Sequence, residues 1–151
     1  MYSFCGNSTT HITKGIKPKS LKVLAENIAP IVERLNLSMS PIHDHYVKVL
    51  LTRCNKIKAL SLEPNVISDD SLKYIRQHLN TTLEELTLGS CLHNPPEDVS
   101  FTALLQLKSM RRLQILNLYY EKDDSDEIQI LRHHLPQLKI KGLLDYSKAS
   151  R

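Results

Sequence analysis

The sequence predicts an α/β solenoid of about four to five units, a parallel sheet lining its concave side and helices covering its convex side. Three observations carry that prediction. Four hexapeptides, Val32-Glu-Arg-Leu35-Asn-Leu37, Ile57-Lys-Ala-Leu60-Ser-Leu62, Leu83-Glu-Glu-Leu86-Thr-Leu88 and Leu113-Gln-Ile-Leu116-Asn-Leu118, all read apolar-x-x-Leu-x-Leu, and their first residues lie 25, 26 and 30 apart. Ten residues beyond the first two come Ile42-His-Asp44-His-Tyr-Val47 and Ile67-Ser-Asp69-Asp-Ser-Leu72, both Ile-x-Asp-x-x-apolar. Apolar residues then recur at helical spacing, as Val47, Leu50, Leu51, Cys54 and as Leu72, Ile75, Leu79.

Taken in order, residues 1–15 carry no repeat and read as an irregular leading segment. Ile16-Lys-Pro18-Lys-Ser-Leu21 keeps the Ile-to-apolar interval with Pro18 in place of Asp, which suits a helix's first turn. Leu21, Leu24, Ile28 and Ile31 continue at helical spacing, so residues 16–29 form the helical half of a degenerate first unit. Each Leu-x-Leu segment is a short strand whose two leucines point one way and whose intervening residue points the other. Asp44 and Asp69 start helices, where a short carboxylate meets orphan backbone N–H groups and the positive dipole end. The helix returns the chain to a parallel strand beside the last. Leu35, Leu37, Leu60, Leu62, Leu86, Leu88, Leu116 and Leu118 should then form the inner ladder. In the third unit Leu92-His-Asn-Pro95-Pro96-Glu-Asp-Val-Ser makes a longer, non-helical connection before the helix of Phe101, Leu104, Leu105 and Leu107. An acidic loop, Glu121-Lys-Asp123-Asp124-Ser-Asp126-Glu127, precedes the helix of Ile128, Leu131 and Leu135. The repeat domain spans 16–140. Residues 141–151 read as a cap or tail, because Lys141 stands where a core leucine belongs.

These residues resemble the leucine-rich repeat family, closest to the 26-residue, cysteine-containing subclass found in F-box proteins, a ribonuclease-inhibitor-like horseshoe. Asn65 and Cys91 match the family's Asn/Cys turn position, and Cys54 its helix-end position; Ser40 and Glu121 depart from the turn pattern. The resemblance implies a non-enzymatic protein-binding module, the substrate-recognition part of an F-box-type ubiquitin ligase receptor. About fifteen residues ahead of the first repeat are too few for an F-box, so the expectation is a fragment, an isoform or a relative outside the ligase. The alternative is a structural or assembly scaffold unrelated to ubiquitin.

If the strands sit so, the third, fifth and seventh positions of each unit face a partner on the concave side. They are Arg34, Asn36, Ser38; Ala59, Ser61, Glu63; Glu85, Thr87, Gly89; and Ile115, Asn117, Tyr119. Arg34 and Tyr119 lead, because Arg and aromatic anchors carry most interface energy.

Other chemistry is excluded. His43 and His45 flank Asp44, and His133 and His134 are adjacent, but neither a Cys-x-x-Cys nor a His-Glu-x-x-His spacing occurs, so no metal site is expected. The acidic loop lacks the glycine and closing glutamate of a calcium loop. With four glycines and no Gly-x-Ser-x-Gly elbow, no catalytic residue and no cofactor are expected. No run of about 18 apolar residues is present, so no membrane partner is expected. Three cysteines, Cys5, Cys54 and Cys91, are too scattered for a disulfide framework and fit a reduced setting, the cytoplasm or nucleus. The net charge is +4, and residues 1–75 hold ten Lys and Arg against six Asp and Glu, with Lys14, Lys17, Lys19 and Lys22 clustered. That excess is too small for a dedicated nucleic-acid binder, and a monomer engaging protein partners is the expectation.

Overall fold

Among the described residues seven strands form one sheet in chain order, and every strand from the third onward runs parallel to its predecessor. The computed structural model describes residues 3–5, 9–11, 18–28, 31–37, 42–62, 67–90, 99–119 and 126–143. The strands are β1 (Ser3–Cys5), β2 (Thr9–His11), β3 (Arg34–Asn36), β4 (Ala59–Ser61), β5 (Glu85–Ser90), β6 (Ile115–Tyr119) and β7 (Lys139–Leu143). The helices are α1 (Pro18–Ile28), α2 (Asp44–Leu51), α3 (Asp69–Leu79), α4 (Phe101–Leu105), continued by a 3₁₀ turn at Gln106–Ser109, and α5 (Asp126–His134). From β2 to β6, each strand is followed by a helix and then by a parallel strand.

The register follows the repeat. Leu35 lies beside Leu60, Leu60 beside Leu86, Leu86 beside Leu116, and Leu116 beside Ile140. The eight ladder leucines are all at most 2% exposed. Helix stripes close over them: Val47, Leu50 and Leu51 of α2, Leu72, Ile75 and Leu79 of α3, and Ile128 and Leu131 of α5 join the same core. The backbone repeats too. The Glu33 carbonyl accepts from the N–H groups of Lys58 (2.6 Å) and Ala59 (3.1 Å), the Lys58 carbonyl from Glu84 (2.7 Å) and Glu85 (3.0 Å), and the Glu84 carbonyl from Gln114 (2.9 Å) and Ile115 (3.1 Å). One forked hydrogen bond thus fixes the register at three successive junctions.

Asp44 and Asp69 do open helices, but their carboxylates serve the next unit. Asp44 accepts from the Ser68 N–H (2.8 Å), the Ser68 hydroxyl (2.7 Å) and the buried Ser71 hydroxyl (2.5 Å). Asp69 accepts in the same way from the Ser100 N–H (2.6 Å) and hydroxyl (2.7 Å). Each serine also caps its own helix, Ser68 accepting from Asp70 N–H and Ser100 from Ala103 N–H. Burial pushes the Asp44 carboxyl up, yet the bonds from Ser68 and Ser71 together outweigh it and hold the group below its usual value. The Cys54 thiol, buried at the end of α2 with no compensating partner charge, is pushed up to about 11 by desolvation.

Three expectations are corrected. Residues 1–15 are not irregular throughout: β1 and β2 lie there as an antiparallel pair, and β2 pairs with β3. Thr9-Thr-His11 carries no leucine, so the repeat pattern does not reveal it. Ile31 does not extend the first helical stripe; α1 ends at Ile28, and Ile31 is 61% exposed. Lys141 does not occupy a core position. Leu138 stands two residues, not three, before the ladder position, so Ile140 takes the ladder place beside Leu116 and Lys141 falls beside Asn117. The sheet therefore continues through Leu143, beyond the 140/141 boundary. The connection at 91–98, with Cys91, Pro95 and Pro96, lies outside the described residues, as do Asn65, Ser40 and Glu121–Ser125.

Candidate protein-binding face

Strand alternation sends the residues flanking each ladder leucine to the opposite side of the sheet. Two rows result. One runs Arg34, Ala59, Glu85, Ile115, Lys139, the other Asn36, Ser61, Thr87, Asn117, Lys141, each residue in register with the next. The sheet brings Arg34, Asn36, Ser61, Glu85, Thr87, Ile115 and Asn117 together as the spacing predicts. Tyr119 lies in β6 beside Leu143, though only its backbone is described. Ser38 and Glu63 lie outside the described residues.

A polar network spans this face. Arg34 reaches across β4 to place its guanidinium 3.4 Å from Glu85 Oε2. The reach is open because the intervening residue is Ala59, whose methyl group leaves the space above it clear. Glu85 Oε1 accepts from the Asn117 amide (3.0 Å), and the same nitrogen donates to Thr87 Oγ1 (3.0 Å). Asn117 is consequently only 7% exposed, while the Arg34 side chain is 55% exposed. Asn117 thus acts mainly by fixing Glu85 and Thr87, and within this network Arg34 is the group most available to a partner. Above Ala59 and Ser61 lies a shallow, open hollow of about 120 Å³, walled by Arg34 and Asn36 on one side and Glu85 and Thr87 on the other.

Lys139 and Lys141 extend both rows and are exposed, giving the face a cationic end. The sequence reading misses them. The alternation Leu138-Lys-Ile140-Lys is the signal that finds them, once the shortened interval after Leu138 is allowed for.

The remaining candidates stand apart. His43 precedes α2 as its N-cap residue and makes no side-chain cap bond. His133 and His134 are exposed and meet edge to face, ring centroids 5.4 Å apart. Among the described residues no three His, Cys, Asp or Glu side chains cluster in a way that could hold a metal ion. No described helix is long and apolar enough to cross a membrane.

No protein-family model matches the chain, and no curated protein matches it by sequence. Among solved structures, it is similar to the leiomodin-1 actin-binding site 2, with a TM-score of 0.60 at 18% identity, covering 84% of this chain and 79% of that one. At that identity the likeness speaks to the fold alone.

Proposed function

We propose that the chain is a leucine-rich repeat horseshoe acting as a non-enzymatic protein-recognition module, its open sheet face receiving the partner. The observation that supports this reading most is the network from Arg34 through Glu85 to Asn117 and Thr87. It holds polar groups in fixed positions beside an open hollow, on the side away from the helices. Preorganised polar groups with an exposed Arg reduce the ordering cost of association. The repeat pattern favours the narrower role of substrate recognition in an F-box-type ubiquitin ligase receptor. The second role is a structural or assembly scaffold; the solved neighbour of like fold is an actin-binding site, which makes actin the partner to test.

Affinity capture from native lysate, comparing the intact chain with an R34A/E85A variant of unchanged circular dichroism, tests the face. Loss of the same specific prey in the variant supports the reading; identical prey sets overturn it. Recovery of a ligase adaptor subunit selects the receptor role. Co-sedimentation of the purified chain with actin filaments, weakened by the same substitutions, selects the scaffold.

A further inference from the structure

Of the lysine cluster near the start of the chain, Lys14 and Lys17 lie outside the described residues, and Lys19 and Lys22 lie away from the sheet face. Lys19 and Lys22 lie on α1, and the structure sets them against His45, Tyr46 and Val49 of α2 around a groove of about 380 Å³ between the two helices. Its lining combines apolar and cationic character. Tyr46 and Val49 are half-buried, whereas Lys19, Lys22 and His45 are exposed. His45 packs its ring edge to face on Tyr46, centroids 5.4 Å apart, which orders the aromatic wall. One turn further along α1, Glu26 approaches Arg53, just beyond the end of α2, to 4.0 Å, and the carboxylate of Asp44, next to His45, is taken up by Ser68 and Ser71. Lys48 adds positive charge on the far side of α2, its ammonium 5.3 Å from the Tyr74 ring. The groove therefore offers an apolar floor beneath a local positive excess.

From this geometry we propose that the α1–α2 groove is a second docking site, independent of the sheet face, for an acidic protein segment carrying apolar anchors. A partner side chain such as Leu or Phe would seat against Tyr46 and Val49, with Asp or Glu neighbours paired to Lys19 and Lys22. Charge complementarity selects acidic partners, and two lysines beside a half-buried Tyr46 and Val49 suit a pair of carboxylates with an apolar anchor better than a run of phosphates, which needs a longer basic track.

Fluorescence anisotropy of the full chain with a labelled peptide of Glu pairs spaced by Leu tests the proposal. Parallel probes are the same peptide with Ser for Leu and a single-stranded RNA of equal charge. The expected result is binding of the Leu peptide, weakened several-fold by Ser for Leu and by raised salt, and weakened about tenfold by K19E/K22E. K19A/K22A should weaken it in the same direction and serves if charge reversal disturbs the fold. R34A should leave it unchanged. Absence of peptide binding overturns the proposal, as does tighter binding of the RNA or insensitivity to both lysine variants. Loss on R34A rather than on the lysine variants would also overturn it, moving the acidic peptide to the sheet face.

Discussion

Asp44 shows how one side chain joins two units. Its carboxylate takes three hydrogen bonds from Ser68 and Ser71, one of them buried, and charged hydrogen bonds of this type are each worth about 1.5–3 kcal/mol. An Asp44→Ala chain should lose about 2–4 kcal/mol in urea unfolding, because Ser71 and the Ser68 N–H are left without an acceptor. The pH dependence has a definite sign. The folded pKa lies below the reference 3.8, so the stabilisation is present above 3.8 and is lost as pH falls through the lower folded value. Urea midpoints of the native chain and of Asp44→Asn, compared at pH 7 and pH 3, should converge toward the acid end. Cys54 supplies a second test at this scale. With its thiol pushed up to about 11 and buried, a C5S/C91S chain should react with a thiol reagent at pH 8 only after unfolding. Prompt labelling of the native chain would refute the placement. The sequence makes the helix-starting role of Asp44 and Asp69 legible. It does not reveal their partners, since Ser68 and Ser100 lie 24 and 31 residues away and come within reach only once the units stack.

At the scale of the element, the leucine pairs decide the strands. Leu60 is 2% exposed and sits between Leu35 and Leu86 in the ladder. Leu60→Ala should cost about 2–5 kcal/mol, read as a fall in urea midpoint or melting temperature. Four strands, β3 to β6, are legible because apolar-x-x-Leu-x-Leu repeats where the register repeats. The outer strands are not, for different reasons. The β2 strand has polar residues throughout its length, so nothing in its composition separates it from a loop. At β7 the interval from the leading apolar residue, Leu138, to the ladder is one residue shorter, which shifts the pattern and makes Lys141 look like a misplaced core position. Lys19 and Lys22 are legible as a cluster, but the groove is not, because its floor comes from α2, more than twenty residues further on.

For the whole molecule, the Asp–Ser connection is unevenly distributed. It ties α2 to α3 and α3 to α4. At the first junction Pro18 and His43 replace the pair, and after α4 the starting residue is Phe101, so neither position has a carboxylate to offer. Native-state hydrogen exchange should therefore protect α3 and its flanking strands most strongly, with α1 and α5 opening at lower free energy. Uniform protection across all five helices would contradict this ranking. The two candidate surfaces also separate cleanly at this scale. The sheet face is built from strand residues and the groove from α1 and α2, so variants in one should leave binding at the other intact.

Because β4, β5 and β6 each take their alignment from the preceding strand through the same forked carbonyl, the junction between β4 and β5 is geometrically interchangeable with that between β3 and β4. A gene duplicating the stretch 57–82 can lengthen the array by one coil without remodelling either flank. Evolution then has a simple way to widen the reach of the surface, at the expense of the Arg34–Glu85 pair, which already spans β4 and is parted by one more strand.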